Sequence, residues 1–118
     1  MKHIRSKDPF LTISSEIGVE EASVLRLGEP VEGETAWRIR DLLVRKHDHQ
    51  VLFENEEVNG DECYSYAILI ESRYIFYLIK TNDKSLAYLR EFDEKEWKEI
   101  RVLLENNVSL CGLEKKDN

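Results

Sequence analysis

The sequence predicts an α+β fold: a single domain in which an antiparallel sheet of three to five strands packs against an N-terminal and a C-terminal helix. Three observations carry this reading. Tyr64–Ile70 and Tyr74–Lys80 are rich in aromatic and β-branched residues and are separated by Glu71-Ser72-Arg73, the pattern of an antiparallel hairpin. Trp97, Ile100, Leu103 and Leu104 recur at helical spacing behind Asp93. The chain has 118 residues, 42% of them hydrophobic and 35% charged, which suits one domain with a real core and argues against disorder. The domain is expected over residues 1–113, with 114–118 a frayed polar tail.

The elements follow in order. Asp8-Pro9 ahead of Phe10, Ile13 and Ile17 reads as a short helix, because Asp8 can accept from the first free amides and proline suits the first helical position. Gly18 stands where a left-handed C-terminal cap is expected. Ser23–Leu27 alternates weakly and fits either a strand or more helix. Gly28–Glu34, with two Gly, one Pro and three Glu, reads as a loop. Over Thr35–His47, Ala36, Ile39 and Leu43 share a helical face, while Trp37 and Ile39 alternate with charged neighbours as in a strand. Length and the Arg, Leu and Lys content favour the helix.

Val51-Leu52-Phe53 is a short strand candidate. On the hairpin, Tyr64, Tyr66, Ile68 and Ile70 share one face and Ala67 and Leu69 the other. Tyr74, Phe76 and Leu78 likewise oppose Ile75, Tyr77 and Ile79. Both faces are apolar, so either helices cover both or one is a tyrosine-rich partner surface; plain core packing is the preferred reading. Leu86–Phe92 alternates as a further strand, with Thr81–Ser85 as the turn before it. Asp93 is a good N-cap with Glu96 three residues later, a variant capping box, and Asn106-Asn107 ends the last helix.

The 17 Lys and Arg stand against 24 Asp and Glu, a formal net charge of −7. That balance argues against a phosphate-neutralising surface for DNA or RNA. No run approaches the roughly 18 apolar residues of a membrane span. The basic N-terminus has no apolar stretch behind it, so it does not read as a secretory signal, and cytoplasmic residence is expected. Of the two cysteines, Cys63 and Cys111, Cys63 leads into an apolar run and reads as a buried free thiol.

The charge is uneven. Glu54, Glu56, Glu57, Asp61 and Glu62 lie within residues 54–62 with no basic residue among them, and contribute −5 of the −7. Asn59-Gly60 marks a turn there. The plain reading is a solvated hairpin tip; the functional one is an acidic knob that docks on a basic surface. Its spacing does not match a helix–loop–helix calcium site. Glu29, Glu32 and Glu34 form a second acidic stretch, read as a separate loop. His47-Asp48-His49 clusters two metal-ligand types without a third nearby, and reads as a solvated polar turn. No nucleophile-elbow pattern and no glycine-rich phosphate loop occurs. Catalytic residues, metal and cofactor are therefore all expected to be none.

The reading is a small acidic protein-binding domain. Its leading form is an immunity-protein or antitoxin-type inhibitor that neutralises a basic partner such as a toxin nuclease. Glu54, Glu56, Glu57, Asp61 and Glu62 would make the contact, with Tyr64 as anchor. The alternatives are a dimeric acidic chaperone or adaptor that self-associates through the apolar sheet face, and a small ligand-binding or enzymatic domain with a pocket between sheet and helices.

Overall fold

The computed structural model describes residues 7–59, 61–81, 84–93, 95, 96 and 98, with backbone alone at 57–59, 61 and 62. In chain order these form α1 (Pro9–Glu16), α2 (Val19–Arg26), β1 (Val31–Glu32), α3 (Glu34–Lys46), β2 (His49–Asn59), β3 (Asp61–Ile70), β4 (Tyr74–Thr81) and β5 (Ser85–Glu91). The strands make one antiparallel sheet in the order β1-β5-β4-β3-β2. The fold is α+β, as its sequence predicts. Three helices precede β2: the short one expected from Asp8-Pro9, the one favoured over Thr35–His47, and α2 between them.

Local chemistry starts the helical layer. Asp8 Oδ1 accepts from the Phe10 N–H at 2.8 Å, and Pro9 occupies the first turn of α1. Gly18 does not form the expected left-handed cap. Its backbone is extended, it donates to the Ile13 carbonyl, and it serves as the N-cap position of α2. Gly18 is instead a tight junction, and Ser23–Leu27, which fits either a strand or more helix, resolves as the last turn of α2 and its cap. Left-handed conformations fall at Gly28 and Gly33, φ 84° and 76°, which bracket β1 and start α3. Thr35–His47 resolves as helix: Ala36, Ile39, Leu42 and Leu43 all face the core.

The sheet alternates as its sequence predicts. Tyr66, Ile68, Ile70, Tyr74, Phe76, Leu78, Ala87 and Leu89 form one face and pack with Phe10, Ile13, Leu25, Ile39 and Leu43 from the helices. Burial at roughly 25 cal/mol per Å² of apolar area makes this layer the main stabilising term. The second face carries Cys63 and Ile79, with Tyr77 and Tyr88 stacked at 4.8 Å. Cys63 is buried, but it is disulfide-bonded and not the free thiol expected.

The helix predicted from Asp93 lies mostly outside the described residues, as do its apolar stripe and the tail at 114–118. At its start the capping box is in place: Asp93 Oδ1 accepts from the Glu96 N–H at 2.8 Å, and Glu96 Oε1 from the Asp93 N–H at 3.1 Å. No helix among the described residues is long and apolar enough to cross a membrane.

Candidate protein-docking surface

The acidic run is not a loop. β2 continues through it to Asn59, and β3 begins at Asp61. Glu54 pairs with Tyr66, Glu56 with Tyr64, Glu57 with Cys63, Val58 with Glu62 and Asn59 with Asp61. Glutamate is disfavoured in strands, which is why the sequence alone suggests a strand ending at Phe53. The backbone ladder with β3 overrides that preference, and an edge strand tolerates charge because one side faces water.

Glu54 and Glu56 are exposed and share the helix-facing side of the sheet with Tyr64 and Tyr66. For Glu57, Asp61 and Glu62 the description ends at the backbone. The second acidic stretch does not join this surface: Glu32 lies on β1, at the far edge of the sheet. Four strand spacings separate the two edges, about 19 Å.

Beside the two glutamates stands an aromatic ladder. Trp37 from α3 stacks on Tyr64 at 5.6 Å, and Tyr64 on Tyr66 at 6.2 Å. Trp37 Nε1–H donates to Ser85 Oγ at 2.9 Å, which fixes the indole against β5. Arg40, one turn along α3, sets its guanidinium 5.3 Å from the Trp37 ring and 5.7 Å from that of Tyr66. Its Nε and Nη2 both donate to Asp41 Oδ1. The Tyr64 hydroxyl donates to Glu54 Oε2 at 2.7 Å.

The electrostatics follow from this packing. Burial pushes the Tyr64 phenol well above its ordinary range, and the hydrogen bond and charge of Glu54 push it further. Burial likewise raises Tyr66, against the pull of Arg40. Burial works against the Arg40 charge, but the hydrogen bond and charge of Asp41 outweigh it and raise that group. The surface thus presents neutral phenols, a permanent cation and two exposed carboxylates. Trp, Tyr and Arg are the residue types that carry most binding energy in protein interfaces. Of these, Tyr64 is legible in the sequence as an anchor. Trp37, Tyr66 and Arg40 are not, although the i, i+3 spacing of Trp37 and Arg40 on a helix is the signal that finds them.

Asp48 and His49 are exposed, as the expectation of a solvated turn has it, but His47 is not. The His47 side chain is only 3% exposed. Its Nε2 lies 2.8 Å from Thr12 Oγ1 and its Nδ1 2.9 Å from Glu71 Oε2. In the neutral ring, Nδ1–H donates to the carboxylate and the Thr12 hydroxyl donates to Nε2. Hydroxyl, imidazole and carboxylate follow the order of a nucleophilic triad. The imidazole is buried, however, and Thr12 sits in the body of α1. The three groups join α1, the end of α3 and the β3–β4 turn, so the arrangement acts as a tie. His49 Nδ1 turns back to the His47 carbonyl at 3.2 Å. Among the described residues no three potential ligands gather at a metal-sized site.

No family model, no curated protein and no solved structure matches this chain, so its surface chemistry is the ground on which its function is argued.

Proposed function

We propose that this chain is a small acidic protein-binding domain, an inhibitor of the immunity-protein or antitoxin type that occupies a basic surface of its partner. The observation that carries the reading is the juxtaposition of exposed Glu54 and Glu56 with the Trp37–Tyr64–Tyr66 ladder. Aromatic anchors supply desolvated contact area, while the acids steer a basic partner and select against acidic ones. Binding, and not turnover, is the activity of this reading, and its compartment is the cytoplasm. There the Cys63 disulfide would be open to reduction, so the oxidation state of Cys63 in freshly lysed native cells tests the compartment.

Co-purification from the native host tests the function. The reading expects a basic protein to be retained, and expects Gln or Asn in place of Glu54, Glu56, Glu57, Asp61 and Glu62 to slow association strongly at low salt with the fold intact. Unchanged association in that variant removes the acidic surface from the mechanism. Concentration-dependent sedimentation of the pure protein would favour the dimeric chaperone or adaptor instead.

A further inference from the structure

We infer that the outer edge of β2 is where the partner binds, by pairing an extended, Lys/Arg-rich segment of its own chain as a sixth strand of the sheet. This rests on the protein-docking reading and gives it a geometry.

The sheet has two edges, and they differ. At one, β1 is two residues long. At the other, β2 runs for 11 residues. Its inner side is laddered to β3 from His49↔Ile70 to Asn59↔Asp61, and its outer side has no strand partner among the described residues. At about 3.4 Å per residue this edge offers roughly 37 Å of backbone. About half its residues turn their N–H and C=O groups outward, a template for another strand.

Edge strands are usually blunted by charged side chains, lysine above all, or by proline, short length or bulges. β2 contains no Lys, Arg or Pro. Its one irregularity lies between Val51 and Phe53. Beyond that point it carries the exposed Glu54 and Glu56, which share one face. A strand laid along this edge meets the Glu54 and Glu56 carboxylates on the helix-facing side of the sheet, so it is matched by basic residues at alternate positions, on one of its own faces. Opposite-charge pairs across strands contribute about 0.2–1 kcal/mol each. A second copy of this chain brings its own net −7 to the contact, which favours a basic partner over self-pairing.

The test uses the full-length, isotope-labelled protein and three synthetic peptides of about ten residues. One alternates lysine and threonine. The second has the same side chains with alternate backbone nitrogens methylated, which keeps the charge but blocks strand pairing. The third replaces lysine by aspartate. The inference expects the lysine peptide to shift and protect the β2 amides from exchange, with affinity falling about tenfold or more for the methylated peptide and no binding of the acidic one. Equal binding of the methylated peptide overturns strand addition while leaving the charged docking surface standing. Binding of neither basic peptide at low salt overturns both. Protection of β2 amides that rises with protein concentration alone assigns the edge to a second copy, and also overturns the inference.

Discussion

His47 Nδ1 and Glu71 Oε2 meet at 2.9 Å inside the protein, 24 residues apart in sequence. Glu71 reaches this position from a strained backbone. It and Ser72 both adopt the left-handed region, φ 52° and 57°, in the turn closed by the Arg73 N–H on the Ile70 carbonyl. A non-glycine residue there costs roughly 1–2 kcal/mol. The turn is held by what Glu71 binds: His47 through its carboxylate and the Asp48 carbonyl through its N–H.

Two glycine substitutions separate strain from tie. Ser72→Gly relieves strain at an exposed position and should stabilise by about 0.5–1 kcal/mol. Glu71→Gly relieves the same strain but strips a charged partner from buried His47, at a cost of about 1–3 kcal/mol, and should be net destabilising. Urea unfolding of both reads the difference; equal stabilisation would show that the Glu71 carboxylate holds nothing.

The tyrosines set an alkaline limit. Tyr64, Tyr66 and Tyr74 all hold their protons above the ordinary value of 10.0, chiefly through burial, with Glu54 adding at Tyr64 and Asp8 at Tyr74. A raised folded pKa gives stability that is complete below the unfolded value and is lost as pH rises through the folded one. Stability should therefore hold up to about pH 10 and decline above it, with tyrosinate absorbance appearing in step with unfolding. Full tyrosine ionisation in a still-folded protein at pH 10 would contradict the burial of these phenols.

Ser65 is fully buried on β3, and its hydroxyl has no hydrogen-bond partner among the described residues. An unpaired buried hydroxyl carries its desolvation cost with no return. Ser65→Ala should thus be neutral or stabilising by about 1 kcal/mol in thermal unfolding. A loss of more than that would reveal a partner for the hydroxyl in solution.

Phe76 is the largest fully buried side chain among the described residues and sits mid-sheet under the helices. Phe76→Ala should cost about 3–5 kcal/mol, by lost transfer energy plus cavity. Leu11→Ala, at a position 51% exposed, should change stability by less than about 0.5 kcal/mol. Denaturant midpoints of the pair check that the core lies where the alternation puts it.

Cys63 should resist thiol reagents in the native, unreduced protein and react only after reduction and unfolding, because it is disulfide-bonded and buried. Reduction should lower stability by about 2–4 kcal/mol. Prompt labelling of Cys63 before reduction would restore the free-thiol reading.

Much of the fold is legible in short-range pattern. Period-two alternation assigns both faces of β3, β4 and β5, because neighbouring side chains on a strand point to opposite sides whatever lies beyond them. Asp8-Pro9 and Asp93 with Glu96 mark helix starts, because capping is chemistry within three residues. The concentration of acid at 54–62 is equally plain.

Other features depend on partners far away in the chain. Whether 35–47 is helix or strand turned on the apolar layer waiting for Ile39 and Leu43, since the local pattern fits both periods. β2 runs through its glutamates because β3 supplies a ladder, a cooperative term that outweighs the weak preference of each residue. The stack joining Trp37 to Tyr64, and the contacts of His47 with Thr12 and Glu71, bring together residues 24 to 35 apart. Such pairs leave no periodic trace, because periodicity records only what a residue's immediate neighbours must do. By itself the sequence determined an acidic α+β domain with its charge gathered beside an apolar hairpin. The tertiary structure alone decided that Glu54 and Glu56 stand on an edge strand beside stacked aromatic rings, because only chain closure brings α3 and β3 together.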